Sequence, residues 1–339
     1  MKQQTKPVLA AFVSLAVFAI VPARAEPWVI HVGYAPPPGH MQPIIEMLEK
    51  AHPELFQHLG KSYVDKGVHF RGSTPQIQAL ATGDLQIAAF GPEAFALSVN
   101  NAHLDTRMVA DVFQDGVPGY RSLTYVVRAD SLIKKVEDLR GKRVATNAIG
   151  SLGDSAMRVV LHAHGIQDSD ITSVEVGFPN MPAMLMDGKV DLINMLPQFQ
   201  HYVTEGTFRP LFRAVDGEGR IQAQLWAMRA SVIKAHRPAL VDFFEDHMRA
   251  ARWLLDPAHH AETVKLIVQV TKGDPKDFEF AYTKADSYHS PDLRPDVPAT
   301  QHAIDVEHKL GLMKESLKVS PTYVDLSLIE QAGQRLAGS

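Results

Sequence analysis

From Trp28 to Val32 the chain reads WVIHV, a short apolar run that Gly33 ends and that the prolines at 36 to 38 keep from extending as a ladder. KGVHF at 66–70 is a second run of strand type. In the stretch that follows, GSTPQIQALATG, Thr74 is a candidate N-cap and Pro75 fits the first helical position. A third strand is expected at 85–90. Strands alternating with helices at this spacing predict βαβ units and a mainly parallel sheet.

The same order begins again after Arg121. LTYVVRAD is strand-like, LRGKRVATN is a turn entering a strand, and GSLGDSAMRVVLHAHG is a glycine-rich turn entering a helix that closes near Gly165. ITSVEVGF supplies the next strand, Asn180 precedes a helix with Pro182 in its first turn, and VDLINML follows Gly188. Laid over one another, GDLQIAAFGP and GKVDLINMLP place Leu80 on Leu185, Gly83 on Gly188, Ile87 on Leu192 and Pro92 on Pro197, 105 positions apart. Two copies are too few for a solenoid and predict two similar α/β lobes. Beyond about Arg220 the pattern becomes helical, with Leu240, Phe244, Met248, Ala251 and Leu255 on one face and further periodic segments near 301–313 and 322–336. A proline-rich loop is expected at 291–298.

VGY at 32–34, GSTPQIQALATGDLQIAAFGP at 72–92, DLRGKRVATNAIGS at 138–151 and DGKVDLINMLP at 187–197, in that order, resemble the SsuA/THI5-like periplasmic substrate-binding proteins of sulfonate, taurine, nitrate and thiamine-precursor ABC importers. The resemblance implies a two-lobed α/β fold that encloses its ligand between lobes joined by two crossovers. The first lobe would hold residues 26–120 and 222–339, the second 121–221. The crossovers would fall at Gly116 to Tyr125 and Asp216 to Trp226, with Gly116, Gly119, Gly217 and Gly219 available to a hinge. Implied partners are a small organic anion or zwitterion, an aliphatic sulfonate or taurine-like compound first, and a transporter permease with its ATPase. A monomer is expected.

Ligands of open α/β sheets sit beyond the carboxyl ends of the parallel strands. That rule selects Tyr34, Ser73, Thr74, Gly91 and Glu93 in the first lobe, and Ser151, Leu152, Asp154, Phe178 and Pro197 in the second. Helix starts at Ser73-Thr74 and Ser151-Leu152 offer free N–H groups and the positive end of a macrodipole to an anion. Tyr34, Phe90, Tyr125, Phe178 and Trp226 are the aromatic side chains nearest the expected cleft. Glu93 and Asp154 either repel an anion, meet an ammonium on it, or serve their own helices. No Lys or Arg falls squarely on a cleft position; Arg121 and Arg158 come nearest.

Composition removes other readings. The 45% apolar content is that of a chain with a substantial core, and there is no cysteine for a thiolate metal site, a nucleophile or a disulfide. That absence also sets aside the thiamine-pyrimidine synthases of the resembled fold, which carry a cysteine-rich motif. A ligand-sensing domain for a signalling partner stays open as a reading. The 16 histidines, His40, His162, His164, His259 and His260 among them, show no metal-ligand spacing. No cofactor or catalytic motif is expected. Lys2 and Lys6 precede the 14-residue apolar run Val8–Val21 and an A-x-A site ending at Ala25, the pattern of a cleaved export signal. Its removal takes Lys2, Lys6 and Arg24, so the net charge of −4 becomes −7, which offers nothing to a nucleic acid. The expected place is the periplasm, with no stable membrane insertion.

Overall fold

The structure, a computed structural model, describes residues 1, 26–35 and 41–338. The expected signal lies outside them, as does His40. In the first lobe the strands are β1 (Trp28–Tyr34), β2 (Tyr63–His69), β3 (Ala88–Phe90), β4 (Thr106–Asp115) and, much later in the chain, β10 (Ile221–Arg229). In the second they are β5 (Thr124–Arg128), β6 (Arg143–Thr146), β7 (Thr172–Glu175), β8 (Ile193–Met195) and β9 (Phe208–Arg213).

β1 and β2 pair in parallel over their full length, and a parallel bridge from Val32 to Ile87 carries the sheet on to β3, which pairs antiparallel with β10 and through it with β4. The lateral order is therefore β2-β1-β3-β10-β4. The second lobe repeats it as β7-β6-β8-β5-β9, with a parallel bridge from Val144 to Leu192. The expected parallel arrangement holds for the first three strands of each sheet. Only the fourth strand of each sheet, β10 or β5, runs the other way, because it arrives by a crossover that enters from the opposite end; the edge strands β4 and β9 again point with the first three.

Helices α1 (Gln42–Ala51), α2 (Pro75–Thr82) and α3 (Pro92–Asn100) belong to the first lobe, and α4 (Leu152–Ala163), α5 (Met181–Met186), α6 (His201–Thr204) and α7 (Val215–Glu218) to the second and its exit crossover. α8 (Ala230–Leu255), α9 (His260–Thr271), α10 (Val297–Lys309) and α11 (Ser327–Gly338) return to the first lobe. Its core joins Ile30, Val109, Trp226, Phe243, Ile267 and Leu328 in one cluster, so strands from the start of the chain and helices from its end share one apolar interior.

The two crossovers touch. Gly116 has φ +72°, and a Cβ there would lie 2.6 Å from the Gly219 carbonyl oxygen, so only glycine allows this approach. The Ser122 hydroxyl donates to Asp115 and accepts from the Val215 amide, which ties the crossovers side by side.

Candidate ligand-binding cleft

α2 and α4 both begin at the cleft with a hydroxyl residue in the capping position, Thr74 and Ser151, yet neither side chain caps its own helix. Both reach across to the other lobe. Ser151 Oγ accepts from the Ser73 amide at 3.2 Å, and Thr74 Oγ1 donates to the carbonyls of Gly150 at 2.5 Å and Ile149 at 3.2 Å. Asn147 Nδ2 adds a third link, to the Arg71 carbonyl at 2.8 Å. The lobes meet so closely at Gly72 that a Cβ there would stand 2.3 Å from Ser151 Oγ.

Behind this clasp lies a chamber of about 70 Å³, lined by Ser73, Asn147, Ser151, Asn194, Gln224 and apolar neighbours that include Phe178. Phe113, Leu123 and Leu196 separate it from a second chamber of about 60 Å³, where Arg121 and His289 stand. Arg121 and Pro197 also line an open cleft of about 790 Å³ between Gln198 to Glu205 of one lobe and Asp274 to Ala285 of the other. Burial draws the Arg121 pKa below its ordinary value, against the opposing pull of Asp286 and Asp115.

Of the residues expected at the site, Ser73, Ser151, Leu152 and Phe178 line the inner chamber, Pro197 lines the outer one and Thr74 closes the rim. Gly91 serves the clasp indirectly, its amide donating to Ser73 Oγ while Leu152 packs over its Cα. Tyr125 is fully buried, stacks on Phe212 with ring centroids 4.7 Å apart and donates to the Gly153 carbonyl, which props the start of α4 from beneath.

Two aromatic expectations are corrected. β1 runs on through Gly33, and strand alternation turns the Tyr34 ring to the face of Gly67, His69 and Glu46, while its neighbour Ala35 takes the cleft position. Trp226 points into the first-lobe core against Phe243, Phe244 and His247. The sequence reading missed Asn147, Asn194 and Gln224. Local pattern offered no usable signal, since β10 carries a second buried glutamine, Gln222, two positions before Gln224.

Glu93 and Asp154 do not face the chamber. They lie behind it, in the seam where α4 packs on α3 and α10, together with Glu218 of α7 and Glu307 of α10. Asp154 accepts the Gly150 amide at 3.0 Å, yet burial still raises its carboxyl. Burial, then the nearness of Asp154, pushes Glu93 up to about 7. Glu218 is pushed up to about 8 by burial, Asp115 and Glu93, and Glu307 stands well above the carboxylate range through burial and its two glutamate neighbours. Each of the four has a carboxyl oxygen without a hydrogen-bond partner, and Arg158, 3.7 Å from Asp154, counters Asp154, Glu93 and Glu307. The paired histidines part company: His162 meets Asp168 and the Leu310 carbonyl, and His164 meets Glu137.

Solved structures share this fold. The alkanesulfonate-binding protein SsuA from Xanthomonas axonopodis pv. citri, solved bound to MOPS, is 22% identical with a TM-score of 0.67 over 89% of this chain and 99% of its own. The periplasmic aliphatic sulphonate binding protein SsuA from Escherichia coli is 17% identical, TM-score 0.63, over 88% and 92%. The periplasmic nitrate-binding protein NrtA from Synechocystis PCC 6803 is 12% identical, TM-score 0.65, over 93% and 90%. At these identities the likeness is one of fold. No helix among the described residues is long and apolar enough to cross a membrane. The model of the NMT1/THI5-like family matches residues 68–260, from β2 through the clasp and both crossovers into α9, and the chain belongs to that family.

Proposed function

We propose that this protein is a periplasmic solute-binding protein that encloses a small organic anion or zwitterion, an aliphatic sulfonate or taurine-like compound first, and delivers it to an ABC importer without chemistry of its own. The lobes that close are residues 26–120 with 222–339, and residues 121–221. The observation that carries this reading is the ring of contacts from Ser73 to Ser151, Thr74 to Gly150 and Asn147 to Arg71, made between the lobes around a buried chamber. Such contacts form only when the lobes are shut, so a ligand that fits the chamber shifts the population toward closure.

One group suits an anion, the Arg121 guanidinium, which lines the outer chamber. The sulfonate- and nitrate-binding neighbours have the same fold, and that fold in those proteins serves capture. No G-x-S-x-G, P-loop or G-x-G-x-x-G pattern argues for catalysis.

The test is thermal melting against taurine, alkyl sulfonates, nitrate, aromatic carboxylates and thiamine pyrimidines. Binding to the native state alone stabilises it by roughly 2.7 kcal/mol at a hundred times Kd, which moves Tm by several degrees. A flat response to the whole panel at millimolar concentration would overturn the reading.

A further inference from the structure

The geometry points to a bipolar ligand whose N–H donors are read by Asn147, Asn194 and Gln224 in the inner chamber while Arg121 holds its acidic group in the outer one. This inference rests on the solute-binding reading and narrows it.

The inner chamber has no charged side chain in its lining. Its polar walls are amides at 4%, 2% and 4% exposure for Asn147, Asn194 and Gln224, and one oxygen of each, Asn147 Oδ1, Asn194 Oδ1 and Gln224 Oε1, lacks a partner. For Asn147 the orientation follows from chemistry, since only the NH₂ group can donate to the Arg71 carbonyl, and its oxygen is therefore the free atom. In Gln224 the nitrogen lies 3.0 Å from Ser73 Oγ and the oxygen has no partner. Buried acceptors without donors are rare in native proteins and are satisfied when a ligand supplies the hydrogens. Sulfonate or carboxylate oxygens placed among them would face like-signed partial charges. The start of α4 does not reverse this, because the Asp154 carboxylate in its first turn accepts the Gly150 amide and offsets the positive helix end.

The outer chamber is complementary. Among the described residues the Arg121 guanidinium makes one long hydrogen bond, 3.5 Å to the Met195 carbonyl, and no ion pair within 4.0 Å. Asp286 lines the same chamber, but its two oxygens accept the Tyr282 and Ser287 amides, and Asp115 accepts the Ser122 hydroxyl and the Leu123 amide, so neither carboxylate forms an ion pair with Arg121. A planar fork of N–H donors remains for a bidentate acid. Phe113, Leu123 and Leu196 form the shared waist, so acid and donor group are joined by a short apolar spacer.

Matched pairs test this by titration calorimetry and melting: taurine against ethanesulfonate, homotaurine against propanesulfonate, β-alanine against propionate, succinamate against butyrate. The N–H member of a pair is expected to bind at least about tenfold tighter, because a site built to hydrogen-bond a group rejects the analogue that lacks it. Asn194→Leu should abolish that preference, the two members of each pair then binding alike, whereas Arg121→Gln should weaken both members together and keep the preference. Asn194→Ser, with circular dichroism and apo melting as checks of folding, replaces the leucine variant if that fails to fold. Plain acids binding as tightly as their partners would overturn the inference and leave the solute-binding reading standing. A preference untouched at Asn194 and at Gln224→Leu would overturn the assignment to these amides. No binding by any member would overturn the inference, and the solute-binding reading would then stand or fall on the wider panel above.

Discussion

The two faces of the seam between the lobes solve the burial of polar groups in opposite ways. At the front, around the chamber, the polar groups are hydroxyls and amides that carry no charge at any ordinary pH. At the back, Glu93, Asp154, Glu218 and Glu307 are carboxyls crowded by burial and by one another, with Arg158 as counter-cation and Asp115, Asp168, His162 and His302 around them. Neutral groups can exchange water for a ligand without a change of protonation. Burial raises the carboxyls, so on the proposed reading the front would select the ligand and the back would make closure sensitive to protons.

The largest effect should come from wedging the front. Gly72→Val places atoms on Ser151 Oγ and Asn147 Nδ2, which lie 2.3 and 2.7 Å from a Cβ at that position, and so prevents the clasp. Ligand affinity should fall by about a hundredfold or more, from two lost hydrogen bonds and a steric overlap of ~1 kcal/mol or more each, while apo melting barely moves. Small-angle scattering should show the variant staying open with ligand present.

Next in size is the response of the back to pH. Glu93 and Glu218, at about 7 and about 8 in the folded chain against an ordinary 4.5, hold protons that the unfolded chain has already released. Their contribution is complete below about pH 4.5, and stability falls as pH rises from there through 7 and 8. Tm should drop by several degrees between roughly pH 5 and 8.5. Glu218→Gln should flatten this slope and stabilise the protein by about 1–3 kcal/mol at the alkaline end, with no gain at the acid end; a parallel curve would break the comparison.

Ser151→Ala removes one neutral link, the acceptor of the Ser73 amide, and should weaken binding by roughly fivefold, about 1 kcal/mol, equally at both ends of that pH range. The smallest effects belong to residues the fold moves away from the cleft. Tyr34→Phe and Trp226→Phe should leave Kd within about twofold, and only the tryptophan change should lower stability, by ~1 kcal/mol, through loss of packing against Phe243 and Phe244. A large loss of affinity at Tyr34 would restore it to the site.

Much of this was legible in the residues. The doubled GDLQIAAFGP and GKVDLINMLP do form equivalent strands, β3 and β8, and the paired helix starts at Thr74 and Ser151 stand at the cleft. The crossover glycines Gly116 and Gly219 do approach each other, a Cβ on Gly116 falling 2.6 Å from the Gly219 carbonyl oxygen. What misled was proximity in sequence to a strand end. Tyr34 follows β1 closely, but its direction depends on how far the strand continues, and one residue of alternation moves the ring to the other face. Asn147, Asn194 and Gln224 lie within or beside strands, where a polar residue is locally indistinguishable from one that faces a helix or solvent.

Local sequence by itself determined the strand and helix starts, the two-fold repetition and the helical tail, because periodicity, glycine, proline and capping residues act over a few positions. Tertiary structure alone decided that α4 would bring Asp154 against Glu93, that Gln224 of the last crossover strand would join Ser73, and that the capping hydroxyls would turn across the cleft. Those outcomes depend on contacts between segments as much as 151 positions apart, and on burial, which sets both the protonation of a carboxyl and the need of an amide oxygen for a partner.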